Sequence, residues 1–574
     1  MDAIQLSSLD HHFADFITRI EGKSCEELWM AAAVVSSVAC RGHVCLDLSR
    51  PTGYGFVPLK WGGEPLQTPP AAGWLEVLSG CETVGQPGDF TPLVLDAGGR
   101  LYLHRSWDAE RKVAEGILDR SVLLPVDAVA LAAGLDRYFP PTGGEGDLQR
   151  VAALAVLSHR FTVISGGPGT GKTATVARIL ALMIELADGA PPRILLAAPT
   201  GKAAMRLKQS VANSVVRLEL TESVRSVLPR DVSTVHRLLG VIPGLSAFRH
   251  NSDNPLACDV LVVDEASMVD LPLMSRLLDA LRSDTRVVLL GDRDQLASVE
   301  TGAVLSDICA GCSPQTDTSD NCPSIVHLTK SFRFSDESGI GRLSRLINEG
   351  DCDGALALLK SGLYGDVCWR PFPSPEAFAD SFTAAASERY APFARAIVPA
   401  EALEALERFR ILAPHRDGRH GVGRLNRLIG SALARSSPTA MKPIMITGNS
   451  YDLGLFNGDT GVLAGVSAGG GVEAFFPDAD SGVRRISELR LPAHEPAFAL
   501  TVHKSQGSEF DDLLLILPDQ MSEVLSRELL YTAVTRARNH LEIWGDEDVF
   551  RRSVERRIER SSGLRDRLWK GERS

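Results

Sequence analysis

Eight consecutive residues, Gly166-Gly167-Pro168-Gly169-Thr170-Gly171-Lys172-Thr173, follow the phosphate-loop pattern GxxxxGK[ST]. The glycines let successive amide N–H groups converge on phosphate oxygens, and a helix starting at the loop's end turns its positive pole on the same point. Lys172 can then reach the terminal phosphates of ATP, and the Thr173 hydroxyl can ligate Mg2+. The β-rich run FTVIS lies directly before the loop and a helical pattern from Ala174 directly after it, the context in which the pattern binds nucleotide.

Asp264 and Glu265 close the apolar run LVV, so they emerge at a strand end, where open α/β sheets bind their ligands. In that position Asp264 holds the metal shell and Glu265 orients and deprotonates the attacking water. The other reading of the pair is a capped helix start. Arg333 in LTKSFRF and Arg536 in YTAVTRAR offer planar guanidinium groups that match the charge building on a transferring phosphoryl group. Each alone is an ordinary surface arginine, and only the surrounding pattern raises it above that.

The elements that position these groups are legible as short apolar runs between helical patterns. FTVIS, RILLAAP, DVLVVDE and RVVLLGD form one series, and RILAPH, DLLLILP and HLEIWG a second. Both predict parallel sheets, hence an α/β class with two lobes. Between about 440 and 497, short strand-like runs with turns predict a small β-barrel inserted in the second lobe. Residues 1–115 read as a separate interaction module, with a helix over Leu28–Cys40, a strand in HVCLDLS and a Pro- and Gly-rich middle. Its His11, His12 and His43 are expected to be surface or core residues, not ligands. The lobes are placed at 116–340 and 341–574.

A chain of 574 residues holds about three or four compact units. With 44% hydrophobic and 23% charged residues it can bury real cores. The net charge of -12 argues against a protein that coats DNA with a broad basic surface, so any nucleic-acid path must be local. MDAIQLSSLDHHFADF has no basic and apolar signal pattern, and Trp29–Cys40 is too short to cross a bilayer, so a cytoplasmic protein without membrane contact is expected. Ten scattered cysteines suit reduced thiols. Cys309, Cys312, Cys322 and His327 have spacing that could serve zinc, or they are cysteines around a polar, turn-rich insertion.

The ordered set GGPGTGKT, LAAPTGKAA, VVDEASMVD, LLGDRDQLASVE, LTKSFRF, LTVHKSQGSEF and LLYTAVTRAR resembles the superfamily 1 helicases. TVHRLLG, HKSQGSEF and the N-terminal GHVCLDLS and RLYLHRSWDAERKVA are similar to the RecD branch, the alpha subunits of exodeoxyribonuclease V. That resemblance implies two RecA-like P-loop NTPase lobes, a small SH3-like β-barrel in the second, and an N-terminal domain that docks on a partner. It implies a 5′ to 3′ DNA helicase in a heterotrimer with RecB-like and RecC-like subunits, processing double-strand DNA ends for recombination repair, with the nuclease in the RecB-type partner. Carried onto this chain, the family's roles put Gln149 at adenine, Gln295 at the terminal phosphate, Glu509 near the ribose, and Arg333 and Arg536 as catalytic arginines from opposite lobes. Single-stranded DNA would cross Thr200, Lys202, Thr234 and His236 on one lobe and Thr501, His503 and Lys504 on the other. Residues 241–258 correspond to the family's short duplex-splitting hairpin, here with few aromatics. The Arg-rich RRSVERRIERSSGLRDRLWK mixes both signs at helical spacing, which fits a solvated helix or a DNA patch.

Three rivals are a stand-alone RecD-like helicase, an ATP-binding scaffold without turnover, and a nuclease in this chain. The first has a different N-terminus. The second is disfavoured by the retention of Lys172, Glu265, Arg333 and Arg536, and the third by the lack of a two-metal grouping among the remaining carboxylates.

Overall fold

In the first lobe, continuous apolar runs form strands because both faces of the sheet are covered by helices and no alternation with water is needed. The computed structural model describes residues 2–49, 56–59, 71–141, 147–242, 244–245, 247–298, 300–311, 322–335, 337–436, 441–450, 452–465, 471–478 and 482–570. Six parallel strands run in the order Ser324–Leu328, Phe161–Gly166, Arg286–Gly291, Val260–Val263, Ile194–Ala198 and Val232–Thr234. Alternate residues serve opposite cores: Val163, Leu261, Val263 and Leu289 face one cluster, while Ile164, Val260, Val262 and Leu290 face the other. The second lobe repeats the plan with five parallel strands, Val367–Pro371, Ala537–Gly545, Phe510–Ile516, Phe409–Ala413 and Ala499–Thr501. The expectation of an α/β protein with parallel sheets therefore holds.

Within the second lobe the chain leaves for a five-stranded antiparallel sheet, Gly482–Ser487, Val472–Asp478, Thr460–Gly465, Lys442–Ile446 and His494–Pro496, with its own small core of Ile444, Ile446, Leu455, Ala474, Phe476 and Ile486. The N-terminal region packs the apolar helix Glu26–Cys40 against a mixed four-stranded sheet, Cys45–Asp47, Arg100–Leu103, Leu93–Leu95 and Val84–Gly85. Among the described residues no helix is long and apolar enough to cross a membrane.

Three details depart from the sequence reading. The division at 115 falls inside the helix His104–Leu118, whose Trp107, Val113, Ala114 and Ile117 share a core with Leu271, Met274 and Leu277 of the first lobe. The division at 340 falls inside the helix Gly339–Glu349, whose Ile340, Leu343 and Ile347 pack in the second lobe. The Arg-rich C-terminus is not one solvated helix. After the helix Glu547–Glu555 it runs without regular structure to Gly563, then forms the helix Leu564–Trp569, with Leu564 and Leu568 buried beneath the N-terminal domain and the first lobe. Spacing of charges suggested a wet face because the partners of those charges lie hundreds of residues away.

Those partners make the C-terminal segment a strap. Arg560 donates to the carbonyls of Ser298, Glu300 and Gly302 at 2.7, 2.8 and 2.7 Å. The Ser561 amide donates to His43 Nδ1 at 3.0 Å, and the Val44 amide to the Ser561 carbonyl at 2.8 Å. Glu110, 0% exposed, receives Arg567 Nε at 3.0 Å, the Gly563 amide at 2.9 Å and the Ser562 hydroxyl at 3.0 Å. Burial raises the Glu110 carboxyl above its ordinary range, and Arg567 opposes that shift. Removing one member strands the other as a buried charge, whereas replacing both with apolar groups does not. Glu110→Gln is therefore expected to lower the first thermal unfolding transition, corresponding to a loss of about 3–5 kcal/mol. The double substitution Glu110→Gln with Arg567→Met should recover part of it, and equal melting of the single variant and the unaltered chain would contradict this account.

Candidate nucleotide and nucleic-acid site

The phosphate loop connects the strand ending at Gly166 to the helix Lys172–Glu185. Gly169 and Gly171 take φ of 78° and 81°, which only glycine adopts without strain. A Cβ on Gly169 would stand 2.3 Å from Arg333 Cβ, and one on Gly171 would stand 2.8 Å from Gln149 Nε2. The loop is thus a backbone cradle with the two predicted side chains pressed against it. Lys172 Nζ donates to the carbonyls of Gly166 at 2.5 Å and Gly167 at 3.1 Å.

One cavity of about 280 Å³ is lined by Gly169, Thr170, Gly171, Lys172, Thr173, Asp264, Glu265 and Gln295 of the first lobe, by Arg333, and by Glu509 and Arg536 of the second. Gly166 and Gly167 precede this lining, and Pro168 joins it. Asp264 follows the strand Val260–Val263 and accepts from the Glu265 amide at 2.9 Å. Burial and the neighbouring Glu265 push its carboxyl up from the ordinary range, while Lys172 opposes them. Glu265 has φ 52°, the sole positive value on a non-glycine residue among the described residues, a conformation that surrounding structure must enforce. Gln295 is buried and donates to Asp292 Oδ2 at 2.9 Å.

Several groups tie this loop to the second lobe. Leu296 donates its amide to Thr532 Oγ1 at 2.8 Å, Gln506 Nε2 donates to the Leu296 carbonyl at 2.8 Å, and the Tyr531 hydroxyl donates to Asp292 Oδ2 at 3.0 Å. Arg536, 2% exposed, donates Nε to the Thr532 carbonyl at 3.1 Å and Nη1 to the Ser508 carbonyl at 3.3 Å.

Glu509, placed near the ribose by the resemblance, holds arginines in this structure. It receives Arg333 Nη2 at 2.6 Å, Arg206 Nη2 at 2.8 Å and Arg538 Nε at 3.2 Å. Although burial raises its pKa, the positive charges of Arg206, Arg333 and Arg536 together draw its carboxyl far below the usual range. Arg333 Nη1 is buried without a hydrogen-bond partner among the described residues, a donor suited to an anion such as phosphate.

Sequence reasoning missed Arg206, which lines the cavity, and Phe332, which lies against the phosphate loop. Arg206 lies one turn beyond Lys202, in a helix that looks amphipathic and unremarkable. Phe332 is 64% exposed, donates its amide to the Gly169 carbonyl at 2.8 Å, and presents its ring beside Gly171 and Gln149. Its signal was an aromatic residue next to Arg333, and a flat apolar surface there suits a purine base.

The candidate DNA residues are spread along both lobes. Thr200 and Thr234 cap the helices Gly201–Arg217 and Val235–Leu239, accepting from the amides of Ala203 and Arg237 at 3.2 Å each. His236 is exposed, 6.0 Å from the Phe248 ring, in the segment where antiparallel bridges pair Val241 with Phe248 and Asn251 with Asn254. Residues 243 and 246 of that segment lie outside the described residues. Lys202 is half-buried, and burial beside Arg410 and Arg206 lowers its pKa to about 8. In the second lobe, Thr501 accepts from the Lys504 amide at 3.3 Å, Lys504 Nζ pairs with Glu495 at 2.6 Å, and burial and Arg560 lower the pKa of His503. Of the possible zinc ligands, Cys309 is buried in the core and His327 lies 3.4 Å from Arg293. Cys312 is outside the described residues, among which no three His, Cys, Asp or Glu are grouped to hold a metal.

Comparison with known proteins follows the same division. Residues 2–102 match the family model for the N-terminal domain of RecBCD enzyme subunit RecD, residues 149–301 an AAA domain, and residues 496–543 the UvrD-like helicase C-terminal domain. The chain is 38% identical over 575 residues to RecBCD enzyme subunit RecD of Mycolicibacterium smegmatis, covering 98% of this chain and 97% of that one. Identity to the Haemophilus influenzae RecBCD enzyme subunit RecD is 33% over 636 residues, covering 97% of each. Identity to the ATP-dependent RecD2 DNA helicase of Deinococcus radiodurans is 30% over 483 residues, covering 82% of this chain and 59% of that protein.

The cradle geometry yields a direct test. Gly169→Ala would impose a left-handed alanine, at about 1–2 kcal/mol, and drive its methyl into the backbone bearing Arg333. ATP hydrolysis is expected to fall roughly tenfold or more, with an unchanged far-ultraviolet circular dichroism spectrum. A steady-state rate near that of the unaltered chain would show that the loop does not bind phosphate in this conformation.

Proposed function

We propose that this chain, which belongs to the RecD family of RecBCD enzyme subunits, works as the 5′ to 3′ motor of a heterotrimer with RecB-like and RecC-like partners. It is an ATP-dependent DNA helicase. In the proposed setting it acts in the cytoplasm on double-strand DNA ends, feeding single strands to a nuclease in the RecB-type subunit for recombination repair. The match of residues 2–102 to a RecD N-terminal domain, and the coverage of RecBCD subunits nearly end to end, favour this over a stand-alone RecD2-type helicase.

The observation that carries the reading is the composite cavity: Lys172, Asp264, Glu265 and Gln295 come from one lobe, and Glu509 and Arg536 from the other. ATP bound there would have its phosphates on the loop amides and Lys172, with Gln149 and Phe332 beside its base. Thr173 and Asp264 are the residues that would hold Mg2+. A buried carboxyl whose charge is only partly compensated by Lys172 fits a cation there, and the metal would supply neutralisation of phosphate charge. Glu265 would take the proton of the attacking water, Gln295 would contact the terminal phosphate, and Arg333 and Arg536 would bear on the charge that develops as the bond breaks. Because both lobes contribute, hydrolysis requires their approach and product release permits their separation.

DNA would cross Thr200, Lys202, Thr234 and His236, then Thr501, His503 and Lys504, through sequence-independent contacts with its backbone. The antiparallel sheet of Lys442–Pro496 is read as the SH3-like barrel of the family, and the N-terminal region ahead of the helix His104–Leu118 as the partner-docking domain, with Leu9, Phe16 and Ile20 exposed on its first helix. Tyr102, Trp107 and their neighbours pack into the first lobe's core, so docking on this domain bears mechanically on the motor.

Two measurements check the proposal. Lys172→Ala is expected to remove at least about 99% of DNA-stimulated ATP hydrolysis while the chain stays folded, since positioning and electrostatics supply most phosphoryl-transfer catalysis. Near-normal turnover in that variant would sink the motor assignment. On duplexes with a single-stranded tail, the chain should unwind from a 5′ tail. Unwinding confined to 3′ tails would overturn the polarity while leaving the ATPase intact.

A further inference from the structure

The helix Gly201–Arg217 begins on the proposed DNA path, with Thr200 as its cap and Lys202 in its first turn. One turn on, Arg206 enters the lining of the nucleotide cavity. Its Nη1 donates to the Gly507 carbonyl at 2.7 Å and its Nη2 pairs with Glu509 at 2.8 Å, so a single first-lobe side chain grips two second-lobe groups. Gly507 follows shortly after Thr501, His503 and Lys504, the other proposed DNA contacts. It has φ 69°, and a Cβ there would lie 3.7 Å from Ala203 Cβ. The two DNA-side segments thus abut at Ala203 and Gly507 and are tied by Arg206. The carboxylate that Arg206 holds also binds Arg333 at 2.6 Å.

We propose that Arg206 is a positioning residue that makes ATP hydrolysis respond to DNA. The inference rests on the reading of the 200–202 and 501–504 segments as DNA contacts. A strand engaging both segments alters their mutual spacing, and the fork of Arg206 transmits that displacement to Glu509. Glu509 in turn sets how far Arg333 is free to turn toward the terminal phosphate. A guanidinium suits this work because it bonds two acceptors in fixed geometry, which an ammonium does not. Arg206 acts through Glu509 and Arg333 and is not assigned to the reacting atoms.

The test uses the full chain, saturating ATP with magnesium, and an oligo-dT strand. For Arg206→Gln the ratio of DNA-stimulated to unstimulated hydrolysis should drop roughly tenfold, with the KM for ATP moving less than about threefold. Arg206→Lys, which keeps the charge but bonds one acceptor at a time, should give an intermediate ratio, and it serves if the glutamine variant fails to fold. In a cycle with Glu509→Gln, the double variant should be no worse than Arg206→Gln alone in that ratio. A ratio equal to that of the unaltered chain in either folded variant overturns the proposal, as does a proportional fall of stimulated and unstimulated rates. An unaltered chain whose hydrolysis ignores DNA fails the motor reading itself, and this inference with it.

Discussion

Glu509 carries one negative charge into a cleft where it meets Arg206 from the first lobe, Arg333 from the segment between the lobes, and Arg538 from its own lobe, with buried Arg536 close behind. Guanidinium groups crowded into one cleft repel one another, and for the buried Arg536 and the largely buried Arg333 a counter-charge offsets the loss of water. The single carboxylate therefore gathers arginines from both lobes into this arrangement. The triphosphate of a nucleotide offers more negative charge to the same arginines. The electrostatics that close the cleft are then the electrostatics that bind and stabilise phosphate, which gives closure and chemistry a shared physical origin.

A second connection runs beneath that one. The loop carrying Gln295 is held by Thr532, Gln506 and Tyr531 of the second lobe, while its continuation at Ser298, Glu300 and Gly302 is held through carbonyls by Arg560. Arg560 belongs to the strap that leaves the second lobe and ends against His43, Val44 and Glu110. The N-terminal domain, the loop carrying Gln295 and both lobes are thereby joined by short polar bonds as well as by the common core around Trp107 and Leu271.

The parts of this architecture that were legible in the sequence share one property, a local cause. The phosphate loop is recognisable because glycine, lysine and threonine must fall at fixed offsets. The strand Phe161–Gly166 is recognisable because a strand covered on both faces is apolar throughout. What was not legible depends on partners distant in the chain. Arg206 looks like any cation on an amphipathic helix until Gly507 and Glu509 are brought beside it. Arg567 sat in an Arg-rich run suggesting a solvated face, yet Glu110, 457 positions away, makes it a buried ion pair. The helices His104–Leu118 and Gly339–Glu349 run through the expected domain divisions because composition shifts mark surface loops better than they mark helix ends.

In the proposed cycle this one cleft opens and closes for each turnover. Ala203 and Gly507 face each other across it, and a Cβ at Gly507 would lie 3.7 Å from Ala203 Cβ, a spacing a disulfide spans. Ala203→Cys with Gly507→Cys, in a chain whose exposed Cys40 and Cys368 are replaced by serine, would lock the lobes on oxidation. Hydrolysis of ATP over many cycles on single-stranded DNA should stop when the bond forms and return when it is reduced. An oxidised, verified cross-link that turns over at the reduced rate would contradict the account.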